Sequence, residues 1–196
     1  MSKVDRRINK TREAINKALI ELMSEKNFEN ITINDISEKA NLNRGTFYLH
    51  YSDKYDLLEK CIKDHLSNML KFCTLSKPGE ERLNVINSPL LMFQYFEEHF
   101  LFYSSMLSNK GITCFQEQMN FMVKNEIIER LKTGEINQGN NKEVVVQYMA
   151  SAFVGVVEWW IKNNMPLSPQ IMAQQLWDIF DENYSLVDEG RTPNGS

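Results

Sequence analysis

The segment Thr32 to Lys54, TINDISEKANLNRGTFYLHYSDK, constrains this chain more than any other, because its local chemistry specifies two short helices and the turn between them. Thr32 supplies a hydroxyl cap, and Asp35, three residues on, completes a capping-box variant with its carboxylate at the positive helix end. A first helix is therefore predicted from about Ile33. Ile33, Ile36 and Ala40 recur at spacings of three and four, giving one apolar stripe that leaves Asp35, Glu38 and Lys39 to solvent. Asn41 tolerates a left-handed backbone, Leu42 fills the corner, and Asn43 can cap the next helix. That second helix is predicted over 44–51. At 100° per residue it turns Phe47 and Tyr51 inward and Gly45, Thr46 and Leu49 outward, with Arg44 and Tyr48 on one flank and His50 on the other.

Two short helices crossing at a tight turn, the second with a polar outer face, suit the major groove of DNA. Arg44, in the first turn, can offer a forked contact to guanine. Gly45 lets backbone approach the sugar-phosphate strand, and its cost of about 1 kcal/mol against alanine inside a helix calls for such a reason. Thr46, Tyr48, His50 and Lys54 carry donors suited to phosphate oxygens. Leu49 can meet only a thymine methyl or solvent.

Charge follows the same polarity. Residues 1–17 hold six basic side chains against two acidic ones, a surplus of four on a chain of net charge −4, which leaves −8 for the rest. A basic end on an acidic body is the asymmetry of a protein that presents one end to a polyanion. No apolar run follows the basic arm, so it does not read as a secretion signal. Three cysteines (Cys61, Cys73, Cys114) form no paired framework and no C-x-x-C, which fits reduced thiols in a cytoplasm. Three dispersed histidines (His50, His65, His99) suggest no metal cluster. The sequence shows no nucleophile constellation, paired acids or glycine-rich phosphate loop, so neither an enzyme nor a cofactor is expected.

The rest of the chain reads as helices cut by breakers, with almost no strand-like alternation. One covers about 6–26. Another starts behind Ser52 as its cap and runs to about Phe72, where Ser76-Lys77-Pro78-Gly79 breaks it. Ser88-Pro89 reads as a cap with proline at the first helical position, opening an aromatic-rich helix over 90–107 that Asn109-Lys110-Gly111 ends. A helix over 115–132 precedes a polar loop over 134–141. The next, over 143–163, is apolar nearly all round. A membrane span is the rival reading, since roughly 20 apolar residues suffice; Gln147, Ser151 and Glu158 interrupt it, and no membrane is expected. A soluble helix of this kind must be covered on every side, often by a partner. Ser151 and Gly155, one turn apart, permit close helix approach. After Pro166 and Pro169 a last helix covers 171–184, and Val187 to Ser196 reads as a disordered polar tail.

TINDISEKANLNRGTFYLHYSDKYDLL, Thr32 through Leu58, resembles the N-terminal domain of TetR/AcrR regulators in its turn, its G-T-F-Y core, Tyr51 and Lys54. The resemblance places Thr32, Asn43, Arg44, Gly45, Thr46, Tyr48, His50 and Lys54 at positions that touch DNA. Two residues depart from it: Leu49 stands where a basic or large polar residue is common, and Asn41 where glycine is common. FEEHFLFYSSMLSNKG and FVGVVEWWIKNNMPLSPQIMAQQL are similar to the C-terminal region of a branch that includes dihydroxyacetone-kinase operon activators. The resemblance implies an all-α chain with a three-helix helix-turn-helix domain (1–52), a long helix leading into a helical effector-binding and dimerisation domain (53–186), and the tail (187–196). It also implies a homodimer on a palindromic DNA operator, released by a small-molecule effector, that is, a repressor; the alternative is an activator or adaptor controlled by a partner protein. Candidate pocket residues are Phe96, His99, Phe100, Tyr103, Met119, Met122, Glu158 and Trp159. Candidate dimer contacts are Ser151, Gly155, Trp160, Leu176, Ile179 and Phe180.

Overall fold

The computed structural model describes residues 3–74, 81–108, 113–133 and 141–189, and among them it holds nine α-helices, one 3-10 turn and no strand. The predicted break at Ser76–Gly79, the Asn109–Gly111 stop, most of the 134–141 loop and the end of the tail lie outside the described residues. The helices are α1 (Lys3–Glu25), α2 (Ile33–Lys39), α3 (Arg44–Tyr48), α4 (Lys54–Thr74), α5 (Glu81–Glu98), α6 (Phe100–Ser108), α7 (Thr113–Thr133), α8 (Lys142–Lys162) and α9 (Pro169–Glu189); the 3-10 turn is Phe28–Asn30.

By compactness the chain forms two units. The first takes residues 1–67 and 100–164, so the helix-turn-helix shares a unit with α6, α7 and α8. Its core joins Ile15, Leu19 and Met23 of α1, Ile36, Phe47 and Tyr51 of the head, and Leu57, Leu58, Cys61 and Ile62 of α4, all buried. Here α1 packs on α2 and α6, and α8 packs on α6 and α7. Burial pushes the Cys61 thiol up to about 12, which keeps it an inert core group. The second unit, residues 68–99 and 165–196, pairs α5 with α9 around Phe93, Phe96 and Met172.

Several boundaries differ from the sequence reading. Ser52 does not cap α4; the Asp53 carboxylate does, accepting from Tyr55 N and Asp56 N at 2.8 Å each. Pro89 does not open a helix but lies inside α5, although an interior proline removes a backbone donor and costs about 3 kcal/mol; packing against α9 overrides that preference. The single helix expected over 90–107 is two, parted at His99, where no glycine or proline marks the break. Residues 187–189, read as tail, continue α9.

Candidate nucleic-acid interface

Short helices need their ends satisfied, and the head meets that need residue by residue. Thr32 Oγ1 accepts from Asp35 N at 3.1 Å, and Asp35 Oδ2 accepts from Thr32 N at 2.8 Å, which closes the capping box on α2. The Lys26 ammonium donates to the same carboxylate at 2.8 Å; that bond first, and the Thr32 amide second, hold the Asp35 carboxyl down at about 2. Asn41 takes the left-handed conformation at φ 53°, and Leu42 N donates to Ser37 O at 2.9 Å. Asn43 then caps α3 by accepting from Gly45 N at 3.2 Å. Lys39, bridging to Glu25 at 2.9 Å and Glu21 at 3.6 Å, ties α2 to α1. Exposed pairs of this kind add little energy each, but they fix the register of α2 on the core.

On this frame α3 turns Phe47 fully inward and leaves Leu49 81% exposed. α3 itself has five residues, and the chain turns on through His50 and Tyr51 by single backbone bonds to Phe47 O. Arg44, Gly45, Tyr48 and Leu49 are exposed, while Thr46 and His50 sit half-buried beside them. The Arg44 guanidinium donates from Nη1 to Asn34 Oδ1 at 3.0 Å and from Nη2 to Tyr48 Oη at 3.2 Å, using two of its five N–H donors. Asn34 escaped the sequence reading, since nothing in its spacing pairs it with Arg44. A Cβ on Gly45 would meet only Asn43 Oδ1, at 3.9 Å. No internal contact therefore explains the glycine.

Lys54 has a different place from the phosphate-facing one expected. Its ammonium donates to Phe28 O at 3.0 Å, Glu29 O at 2.9 Å and Ile31 O at 3.0 Å, which accounts for all three of its donors. It also lies 4.8 Å from the Phe28 ring centre and 5.4 Å from that of Tyr55. Lys54 thus clamps the first turn of α4 to the 3-10 turn that delivers the chain into α2. The basic arm divides in the same way. Arg12 bonds the Tyr51 hydroxyl, which itself donates to Asn16 Oδ1 at 3.1 Å, and lies 3.8 Å from Asp64; Lys17 pairs with Glu21 at 3.8 Å. Arg6, Arg7 and Lys10 are exposed along α1.

The candidate pocket residues fall in both units: Phe96 and His99 in the second, Phe100, Tyr103, Met119, Met122, Glu158 and Trp159 in the first. Phe96, Tyr103 and Met119 are buried. The Glu158 carboxylate accepts from Gln116 Nε2 at 2.9 Å and Lys162 Nζ at 3.0 Å. His65, which the sequence reading set aside, stacks on Phe102 with ring centres 3.8 Å apart and Tyr103 at its edge. It lies on the Leu58, Ile62, Leu66 stripe of α4, a signal that helical periodicity does carry.

The two adjacent tryptophans of α8 differ in exposure. Trp160, a candidate dimer contact, is fully buried within its own chain, while Trp159, a candidate pocket residue, is 49% exposed. Trp159 continues an exposed stripe with Val144, Tyr148, Ser151, Ala152 and Gly155. The helix is long and apolar enough to cross a membrane, and 39% of its apolar window is buried in the protein. Of the candidate dimer contacts on α9, Leu176 is buried and Ile179 exposed; the Phe180 side chain lies outside the described residues.

Comparison with known proteins places this geometry. Residues 15–61 match the family described as bacterial regulatory proteins, tetR family, and residues 84–182 match a transcriptional regulator C-terminal region. The HTH-type transcriptional regulator YxbF of Bacillus subtilis (strain 168) is 27% identical over 193 residues, 94% of this chain but 48% of YxbF, so the chain spans about half of that relative. The transposon Tn10 TetC protein of Escherichia coli is 31% identical over 88% of this chain and 84% of its own length. Among solved structures, the dihydroxyacetone kinase operon activator DhaS aligns with a TM-score of 0.67 at 19% identity, over 90% of this chain and 97% of DhaS. A TetR transcriptional regulator from Streptococcus agalactiae 2603V aligns with a TM-score of 0.66 at 24% identity, over 87% of this chain and 93% of its own. Matched at both ends, and sharing its fold with these regulators, the chain belongs to the TetR family of DNA-binding transcriptional regulators, which are not enzymes.

Proposed function

We propose that the protein is a repressor whose homodimer grips a palindromic operator with two copies of α3 and lets go when a small apolar effector binds. The observation that carries this reading is Gly45: an exposed first-turn glycine with open space around it, beside a braced arginine, is explained by a backbone that must come close to a DNA strand. Thr32, Asn43, Arg44, Gly45, Thr46, Tyr48 and His50 form the contact set. Lys54 acts behind it, holding the head in shape. The functional division is a DNA-binding part (1–52) and an effector-binding and dimerisation part (53–186), working in the cytoplasm.

Dimerisation uses the exposed apolar stripe of α8, from Val144 through Tyr148, Ser151 and Gly155 to Trp159. A Cβ added at Gly155 would meet nothing within 4 Å, and a close-packed partner helix explains this glycine. Two-fold symmetry then sets the half-sites about one helical turn of DNA apart. The effector enters among the aromatic side chains near Tyr103, Met119 and His65, and it shifts the dimer only as far as it prefers the released arrangement. Exposed Phe121 and Ile128 on α7 favour a second reading, in which a partner protein takes the effector's place and the protein activates.

Selection of bound fragments from genomic DNA of the source organism tests the first step. Enrichment of one palindromic motif is the expected result, and recovery of no shared motif would overturn it. Sedimentation at micromolar concentration is expected to give a dimer. Transcription from the enriched promoter, with and without the protein, then separates repression from activation.

A further inference from the structure

We propose that Asn34 is the positioning residue of the base-reading arginine: from the first turn of α2 it holds the Arg44 guanidinium in the orientation in which α3 offers it to DNA. The proposal rests on the reading of Arg44 as a base contact. Arg44 is a long, exposed side chain, and an untethered arginine loses rotamer freedom when it binds. Here it is held at both sides. Nη1 donates to Asn34 Oδ1 across the turn, and Nη2 donates to Tyr48 Oη one helical turn along α3, with the guanidinium 5.7 Å from the Tyr48 ring centre. Tyr48 is itself set edge-on against buried Phe47, at 5.6 Å and 85°. Asn34 lies one residue before Asp35, whose capping box and Lys26 bond fix the start of α2, so the brace stands on a rigid element.

The hydrogen-bond chemistry also fixes the direction of the Asn34 amide. Arginine only donates, so the amide must give its oxygen to Arg44 and turn its two N–H outward. Arg44 and Asn34 together therefore present donors to whatever docks. That complements an acceptor-rich edge such as guanine O6 and N7.

The test uses the full chain and a duplex enriched by the wild-type protein from a randomised pool, together with its single-base variants. Binding is followed by fluorescence anisotropy for wild type, Asn34→Ala, Arg44→Ala, the double variant and Asn34→Asp, with helical content checked by circular dichroism. Arg44→Ala is expected to remove about 5- to 150-fold discrimination at one base pair per half-site. Asn34→Ala is expected to lose about 3- to 10-fold of discrimination at that same base pair, and nothing further once Arg44 is gone. Asn34→Asp keeps the acceptor, so it should retain the discrimination ratio while its charge weakens every duplex alike. Unchanged discrimination in Asn34→Ala, a loss at a different base pair, or a loss that persists without Arg44 would overturn the positioning role alone. Unchanged discrimination in Arg44→Ala would overturn the base-reading assignment and the brace with it.

Discussion

In the head, α2 and α3 are seven and five residues long, and three of their four ends have a residue that sets them: Thr32 and Asp35 at the start of α2, the left-handed backbone of Asn41 in the corner, and Asn43 at the start of α3. α8 is 21 residues long with one side-chain bond at each end, from Glu143 N to Asn141 Oδ1 and from Asn163 Nδ2 to Trp159 O, while Val146, Ala150, Phe153, Val154, Val157, Trp160 and Ile161 are buried along it. A five-residue helix cannot persist on propensity, so polar contacts at its ends and the core beneath must specify it; a long apolar helix is held mainly by burial. The contrast separates where specificity is written from where stability is stored. It also predicts how each region fails.

The largest effect is expected in α8. Trp160→Ala should cost about 3–5 kcal/mol in chemical denaturation, whereas Trp159→Ala should leave the folding midpoint nearly unchanged and weaken self-association in sedimentation. Equal destabilisation by both would erase the inward and outward faces. Next comes Lys54→Met, which removes the ammonium from three carbonyls, of which Phe28 O keeps its bond from Ile31 N, and should cost about 1–3 kcal/mol. If Lys54 instead served only a phosphate, stability would hold and the salt slope of DNA binding would fall by about one unit.

A smaller, pH-dependent effect belongs to Asp35. Its folded carboxyl is held at about 2, below the unfolded value, so its contribution is present above about pH 4 and is lost as the pH falls towards 2. Asp35→Asn should therefore lower the melting temperature by a few degrees at pH 6, for a cap worth about 1 kcal/mol, and match wild type as the pH approaches 2. A gap that stays constant with pH would remove the charged cap. The smallest effect is Gly45→Ala, which should raise stability by about 0.5–1 kcal/mol yet weaken DNA binding. A variant that is more stable and binds equally well would leave the glycine unexplained.

Legibility in the sequence divides along the same line. Thr32, Asp35, Asn41 and Asn43 act within a few residues of themselves, so their roles are readable from spacing, and Phe47 and Leu49 take opposite faces as 100° per residue requires. Lys54 reaches carbonyls 23 to 26 residues away, and Asn34 meets Arg44 across a turn; neither partnership has a local signature. In α8 the apolar residues run round the whole helix, so periodicity could not say which of Trp159 and Trp160 points inward. Pro89 inside α5 and the break at His99 are tertiary outcomes that override or ignore propensity. The resemblance to TetR regulators carried the family, and the three carbonyl bonds of Lys54 lie beyond what it implied.

Methylation interference at guanine N7, in the major groove of the enriched duplex, tests the central claim most directly. The account predicts that wild type excludes duplexes methylated at one guanine per half-site, the two lying about one helical turn apart, and that Arg44→Ala is indifferent to those methyl groups. Interference at the same guanines in both proteins, or at none in wild type, would contradict it.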